Sequence, residues 1–567
     1  MVGRTGDLLV KGGALVDGTG APARTADVRV RRGVVAEIGE GLATDGEVVL
    51  DAGGAVVAPG LVDCHTHYDP SLWWDPLCDP MPQHGVTTVV AGNCSLSLAP
   101  VRADDRTAAS DVFGFIEDIP LDAFFDGIPW NWESYAEWSD ALAAHATAVN
   151  VAALVGHSNL RVFVMGEAAW ERAATDDERR RMRLVLADAL AAGARGLSTS
   201  FLDTDRHGRP VPSRAADDAE LAALVEVLGA APGTPGVLEF LPYLKDLDRQ
   251  LADIEHVARI CGPHRVPCTW NQLAQNSRDP ERAARIVAQA HALHAEGCRV
   301  YAQVSPRPFD LNVSFDATPA FVALPAWNRL IQEPGEEKRR LLVDDAWRAE
   351  ARADWDKVGT GFTIFPVSRP DAVRLGNAPA GEEQFAGRTF ADLVDAREGH
   401  PSDVLAEWVL ALELAPALKV EAISNNDAEG VAALMADATT VVGASDAGAH
   451  LQMMCGAGDA TLFLTKHVRD RADFSLEQGV HELTGRLADA FGLRDRGVVT
   501  ERGAGDLVVF ALDELAYEPE AFVHDVPGGA PRLTRPAGGY RATVVAGVVT
   551  QDGGVPTGAR PTGALTV

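Results

Sequence analysis

Apolar and polar positions alternate through the N-terminal stretch DLLVKGGALVDGTGAPARTADVRVRRGVVAEIGEG, and Gly-rich turns interrupt the alternation. A period of two is that of short antiparallel strands with one face covered. The same rhythm returns near the other end, in GDLVVFALDEL and YRATVVAGVVTQDGG. The two ends therefore predict one small β-sandwich domain built from residues 1–55 together with 500–567. Residues 56–499 have a different character. Near-continuous apolar runs alternate there with helical patterns, as expected of βα units whose parallel strands are covered on both faces. Eight runs qualify as strands: 56–64, 85–92, 150–156, 194–200, 236–241, 266–271, 299–305 and 439–445. Between the fourth and its predecessor, ATDDERRRMRLVLADALAAGA opens on a Thr or Asp cap and continues with helical spacing. Eight such units predict an α/β fold of the (β/α)₈ barrel type, with its site at the C-terminal ends of the strands. One connection is far too long for a βα loop. Residues from about 306 to 436 form an insertion that includes the charged, helical WNRLIQEPGEEKRRLLVDDAWRAEARADW. Such a segment is either a lid over the site or a decoration of the surface.

The totals narrow the class. The chain has 567 residues, of which 47% are hydrophobic and 23% charged, enough apolar material for a large core. A formal net charge of −31 lacks the basic footprint of a nucleic-acid binder and reads as a solubilising surface. No run of ~18 apolar residues predicts a membrane span. The opening MVGRTGDLLVKGG has no long apolar region followed by a small-residue cleavage site. The seven cysteines are scattered and odd in number, as suits reduced thiols rather than a disulfide framework. These features predict a cytoplasmic protein with a small-molecule substrate and no nucleic-acid or membrane partner. Oligomerisation is left open.

Candidate chemistry gathers at predicted strand ends. His65 and His67 close the first run, APGLVDCHTH, and residues two apart on a strand project to one side. Both imidazoles can share a metal. Cys94 emerges after the second run, in AGNCSLSLAP, as either a zinc-binding thiolate or a buried apolar cysteine. Asp446 ends the eighth run, VVGASDAGAH, where a carboxylate can bind a metal and accept a proton from water. His450 follows four residues later. His157, at the end of the third run in VGHSNLR, is a candidate to orient a substrate oxygen or a metal ligand, or else a structural histidine. Arg161 is a weaker candidate for a substrate carboxylate. Trp73 and Trp74 either line an apolar pocket or belong to the core.

Together PGLVDCHTH, HGVTTVVAGNCSLSLAPV, LVGHSNLRVFVMG, GASDAGAH, SLEQGVHELTGRLADAFGLRDRGVVTERGAGDLVVF and PTGARPTG resemble the amidohydrolase superfamily, in its N-acyl-D-amino-acid deacylase (D-aminoacylase) branch. The resemblance covers most of the chain. It implies a (β/α)₈ barrel with a small β-sandwich from both termini, one or two divalent metals, typically zinc, and hydrolysis of an amide C–N bond. It implies functional roles for His65, His67, Cys94 and Asp446, and a segment inserted over the site.

The sequence also departs from that pattern. The fifth run, GVLEFLPYL, and the sixth, VPCTWNQLAQN, hold no histidine where the superfamily supplies two. Glu239 is the substitute ligand available on the fifth. Asn271 or Gln272 takes the place on the sixth, where amides are poor zinc ligands. A lysine that helps hold the substrate carboxylate in D-aminoacylases has no counterpart, and Ala274 stands near its place. The fourth run, ARGLSTS, offers no lysine for carbamylation. Arg307, after the seventh run, is a candidate to bind the substrate anion. The expected mechanism uses one zinc per chain, with a second possible, held by His65, His67 and Asp446 with Cys94 and Glu239. Asp446 carries the proton, His450 is the alternative carrier, and His157 is a candidate oxyanion donor. Other readings are a cyclic-amide hydrolase, a condensing or cyclising enzyme on the same scaffold, and a metal-free binding protein.

Overall fold

The computed structural model describes residues 6–565 apart from 314, 316, 317, 359–365 and 422. The N-terminal alternation becomes five strands: β1 (Leu8–Leu15), β2 (Arg24–Arg31), β3 (Val34–Gly39), β4 (Val48–Asp51) and β5 (Val56–Pro59). Seven strands of a second sheet follow: β6 (Leu61–Asp63), β7 (Val86–Ala91), β8 (Asn150–Gly156), β9 (Gly196–Ser200), β10 (Val237–Leu241), β11 (Cys268–Trp270) and β12 (Val300–Val304). The insertion carries β13 (Leu311–Val313), β14 (Val373–Leu375) and β15 (Leu418–Val420), after which β16 (Thr440–Val442) supplies the eighth strand of the second sheet. The chain ends with β17 (Leu507–Phe510), β18 (Ala521–Val526), β19 (Ala530–Thr534), β20 (Ala542–Val545), β21 (Val548–Asp552) and β22 (Val555–Pro556).

Strands from both ends of the chain share one nine-stranded sheet, ordered β22-β21-β20-β17-β5-β1-β2-β3 with β4 paired to β1. Its covered face is a cluster of alternating side chains that includes Leu8, Val10, Val28, Val30, Val57, Leu507, Val509 and Val544. The apolar run 56–64 that predicted one barrel strand serves two sheets. Residues 56–59 pair antiparallel with β17, and only 61–63 enter the parallel sheet beside β7. The break is at Gly60. Its N–H bonds to the Asp506 carbonyl at 2.9 Å, and a Cβ there would meet the Thr87 side chain. Periodicity alone does not reveal a change of sheet inside an unbroken apolar run.

The parallel strands follow one another around the sheet in the order β6-β7-β8-β9-β10-β11-β12-β16, the order of a singly wound barrel. β7, β8, β9 and β10 are buried at every position, as strands with helices outside and packed side chains inside must be. The predicted helix before β9 spans Asp176–Ala191 and opens with a reciprocal capping box between Thr175 and Glu178. The edges meet just beyond β6 and β16. Thr66 and Ala447 form a parallel bridge, the Asp446 N–H donates to the His65 carbonyl at 3.1 Å, and the His67 N–H donates to the Ala447 carbonyl at 2.8 Å.

The insertion has its own interior. β13, β15 and β14 form an antiparallel sheet, and helices pack Trp327, Trp347, Trp355 and Trp408 around Phe321 and Phe390. No helix among the described residues is long and apolar enough to cross a membrane.

A buried clasp joins the terminal sheet to the barrel. One Asp506 oxygen accepts from Asn150 Nδ2 at 2.9 Å and from Arg496 Nη1 at 2.8 Å, and the other accepts from the Ala546 N–H at 2.8 Å. Asp506→Ala strands the largely buried Arg496 without its partner, a loss of about 3–5 kcal/mol. A thermal midpoint several degrees below wild type, measured by calorimetry, is the expected result.

Candidate metal centre

The residues just beyond β6 alternate sharply. Thr66 turns away from the barrel axis, donating both its N–H and its hydroxyl to the Val90 carbonyl at 3.0 and 2.8 Å. His65 and His67 consequently turn to the same side. His65 Nε2 lies 3.4 Å from Cys94 Sγ, and the ligand atoms of His65, His67 and Cys94 all lie within 4.8 Å of one another. Asp446 closes the group from the far edge of the sheet. Its Oδ1 is 3.2 Å from His65 Nε2 and 3.7 Å from His67 Nε2. Four candidates named from three strand ends thus meet at one point.

Neighbouring groups hold these four in place. The Cys94 N–H donates to Glu239 Oε2 at 2.9 Å, and Asn271 Nδ2 donates to Cys94 Sγ at 3.4 Å. Glu239 therefore supports the cysteine through its backbone, while its other oxygen is buried without a hydrogen-bond partner. Ser445 Oγ donates to Asp63 Oδ1 at 2.8 Å and lies 3.0 Å from the His65 carbonyl, tying the two edges together. Cys94, Ser95, Ala444, Asp446 and His450 all adopt positive φ, between 49° and 69°. Left-handed backbone at non-glycine residues carries a cost and concentrates where a site over-determines geometry.

The electrostatics are those of a crowded, dry acidic centre. Burial lowers His65 to about 4. Burial acts the same way on His67, but the nearby Glu117 and Asp446 carboxylates prevail and raise it to about 9. Burial lifts Glu117 and Glu239 to about 8 each, and pushes the Cys94 thiol well above its usual range. Asp446 is the exception: burial opposes its charge, yet His67 and His65 hold it well below the usual carboxylate range. Two imidazoles, a thiol and a carboxylate converging without solvent match the donor set of a zinc site.

A cavity of ≈160 Å³ opens from this centre. His67, Cys94, Asn271, Asp446 and His450 line it, with Phe309 and Val322 reaching in from the insertion. His450 Nε2 stands 3.9 Å from Glu117 Oε2. Glu117 was not anticipated from the sequence. It follows the helix Arg106–Ile116, lines the cavity, and sets Oε1 3.4 Å from His67 Nδ1, where a carboxylate orients a ligating imidazole. The available signal was an acidic pair inside the apolar stretch VFGFIEDIP. Asp203, after β9, is a second acid of the cavity outside the predicted set, half-buried in its wall.

Three expectations need correction. His157 is fully engaged, with Nε2 2.8 Å from Glu220 Oε1 and Nδ1 3.0 Å from Thr199 Oγ1. Arg161 pairs with the other Glu220 oxygen at 2.5 Å and with the carbonyls of Ala169 and Arg172. Both are buried in a network that locks the helix His157–Met165 to its neighbours, and neither lines the cavity. Arg307 is also buried, bonded to Asp459 at 3.1 Å and to the Ser445 carbonyl at 2.9 Å. It steadies the loop that carries Asp446 instead of facing a substrate anion. Trp73 stacks on Trp132 with ring centres 4.5 Å apart, and Trp74 lines a separate hollow beside Tyr68.

The fold and this centre define a metal-dependent hydrolase class, and comparison places it. The chain belongs to the amidohydrolase family, whose pattern matches residues 48–551, and so to enzymes that hydrolyse C–N bonds other than peptide bonds. It is 30% identical to an uncharacterised protein of Mycobacterium tuberculosis over 97% of this chain and 92% of that one. It is 29% identical to the N-acyl-D-aspartate deacylase of Alcaligenes xylosoxydans xylosoxydans, over 89% and 85% of the two chains. The structure of N-acyl-D-glutamate deacylase from Bordetella bronchiseptica, complexed with zinc and a phosphonate mimic of the tetrahedral intermediate, superposes with a TM-score of 0.69. The match has 25% identity and covers 99% of this chain and all of that one. The family predicted from the motifs is therefore the family shown.

Glu220→Ala separates the structural network from the metal centre. It leaves Arg161 buried without its carboxylate, at a cost of about 3 kcal/mol or more. The expected outcome is a lower thermal midpoint with unchanged metal content per folded chain by elemental analysis.

Proposed function

We propose that this protein is a zinc-dependent hydrolase of N-acyl amino acids, binding one zinc per chain in the cytoplasm. The observation that carries the reading is the convergence of His65, His67, Cys94 and Asp446 at the floor of one cavity. Those four residues would hold the metal, with Glu239 supporting Cys94. Zinc bound there supplies Lewis acidity toward water and the amide carbonyl. Seven free, buried cysteines favour a reducing compartment.

The chain's own groups supply the remaining work. Asp446 turns Oδ1 to the two imidazoles and leaves Oδ2 to take the proton of the attacking water. The same oxygen then passes that proton to the leaving nitrogen. Glu117 fixes the orientation of His67 through Nδ1. Asn271 Nδ2 donates toward Cys94 Sγ and favours its thiolate. Among the described residues that line the cavity, Lys245 is the one Lys or Arg, and it stands exposed after β10. It takes the part that Arg307 does not play, attracting the substrate carboxylate. Apolar walls from Phe115, Leu202, Leu241 and Leu244 exclude water around the scissile bond.

Three measurements test this reading. Elemental analysis of protein purified without chelators is expected to find about one zinc per chain, lost in the His65→Ala/His67→Ala variant. Asp446→Asn is expected to lower kcat for a cleaved N-acyl amino acid by roughly 10²–10⁴-fold. No zinc after incubation with the metal would remove the proposal. Lys245→Met is expected to raise KM for N-acyl amino acids by roughly threefold to tenfold, with kcat nearly unchanged and no effect on the corresponding carboxamides. An equal effect on acid and carboxamide would show that Lys245 does not recognise the carboxylate.

A further inference from the structure

Beside the metal cavity lies a second hollow of ≈130 Å³. The two share three wall residues, Leu244, Gln272 and Phe309, so they adjoin across those side chains. Each wall comes from a different element: Leu244 from the loop after β10, Gln272 from the loop after β11, and Phe309 from the start of the insertion. Leu273, Ala274, Ile286 and Ile423 line only the outer chamber. Three of its polar wall residues, Arg282, Gln250 and Asn276, are bonded to the protein. Arg282 Nη2 donates to the Leu244 carbonyl at 2.7 Å and to Gln250 Oε1 at 2.6 Å, and Asn276 Nδ2 donates to the Ile423 carbonyl at 3.4 Å. The surface left for an occupant is predominantly apolar. Gln272, shared by both walls, keeps its Oε1 buried with no hydrogen-bond partner.

Size argues for joint use. Ligand pockets begin near ~300 Å³, and neither chamber alone approaches that volume, whereas the two together nearly reach it. The occupant that fits is an unbranched apolar chain, because it must pass Leu244, Gln272 and Phe309 before it reaches the outer apolar walls. Branched and aromatic amino-acid side chains are bulky close to Cα and suit the inner chamber alone. Resting on the hydrolase reading above, we propose that the outer chamber is an acyl-chain subsite and that the preferred substrates carry a medium or long linear acyl group. The metal centre then acts on the amide while the distal methylenes lie between the barrel and the insertion.

The test compares N-acetyl, N-butanoyl, N-octanoyl and N-dodecanoyl forms of one amino acid in the holoenzyme. It is run in wild type, Ala274→Phe and Ile423→Trp. The two substitutions fill the chamber from different elements, the loop after β11 and the insertion, so misfolding of one leaves the other informative. Wild-type kcat/KM is expected to rise at least about tenfold from acetyl to octanoyl, since each buried methylene contributes up to roughly fourfold. Either variant is expected to abolish that rise while keeping the acetyl rate. In parallel, calorimetric titration with acetate and with octanoate reads the chamber without turnover. Octanoate is expected to bind more tightly in wild type, with the difference lost in both variants. Turnover without chain-length dependence, or a dependence that survives both variants, overturns the acyl subsite and leaves the hydrolase reading standing. Chain-length-dependent octanoate binding without turnover of any N-acyl amino acid keeps the subsite and removes the hydrolase reading. A dependence on the amino-acid side chain alone assigns the recess to the other half of the substrate and overturns the proposal.

Discussion

The barrel closes on the residues of its candidate metal centre. The bridge between Thr66 and Ala447, and the flanking bonds from Asp446 to His65 and from His67 to Ala447, join the first strand to the last. Those contacts place the two imidazoles and the carboxylate side by side. Main-chain hydrogen bonds fix their separation more tightly than side-chain packing alone would. Thr66 adds a second constraint by tying the seam to β7, and Ser445 adds a third through Asp63 and the His65 carbonyl. Loosening the seam would open the barrel and disperse the donor set in the same event. Fold and centre are one structural problem here, and Arg307, held by Asp459 beneath Ser445, belongs to its solution.

A second constraint is charge. Glu117 and Glu239 are buried, Asp203 and Asp446 line the cavity beside them, and His67 lies against Glu117 and Asp446. Like charges at short range raise one another's pKa, and burial adds to that. The result is a centre in which Glu117 and Glu239 are lifted to about 8 while Asp446 keeps its charge. A divalent cation at the shared point would relieve both penalties, because it stabilises every nearby anion and deprotonates the thiol. The left-handed backbone at Cys94, Asp446 and His450 is consistent with the same demand. Local conformational cost is accepted where it aims a group at the shared point.

The sequence made the barrel legible because buried parallel strands write themselves as apolar runs, and all eight runs appear as strands. It made His65, His67, Cys94 and Asp446 legible because each sits immediately past such a run, where barrel geometry sends side chains to one mouth. Its failures have definite causes. The split at Gly60 is invisible because both halves of the run are equally apolar. His157 stayed open between a site residue and a structural one because a strand-end position does not reveal a partner, and Glu220 lies 63 residues away. Arg307 was misread for the same reason, since Asp459 is 152 residues distant. Glu117 was missed because it follows a helix rather than a strand and carries no periodic signal. Long-range ion pairs decide which polar residues are structural, and a linear pattern contains no trace of them.

The insertion divides labour with the barrel. Its own apolar interior of tryptophans and phenylalanines makes it a stable body rather than a loose cover. Phe309 and Val322 reach the cavity from it, and Ile423 reaches the neighbouring hollow. The candidate ligands His65, His67, Cys94 and Asp446 all come from the barrel. Change in the insertion can therefore reshape the recess without moving a donor atom, whereas change at the seam alters chemistry and fold together. The absence of histidines on β10 and β11 fits this division. Glu239 and Asn271 stand there instead, and both bear on Cys94, one through its N–H and one through its sulfur. Support that the superfamily pattern assigns to two further imidazoles is directed here at a single cysteine. Cys94 thereby becomes the residue on which the barrel's second, fifth and sixth strands jointly act.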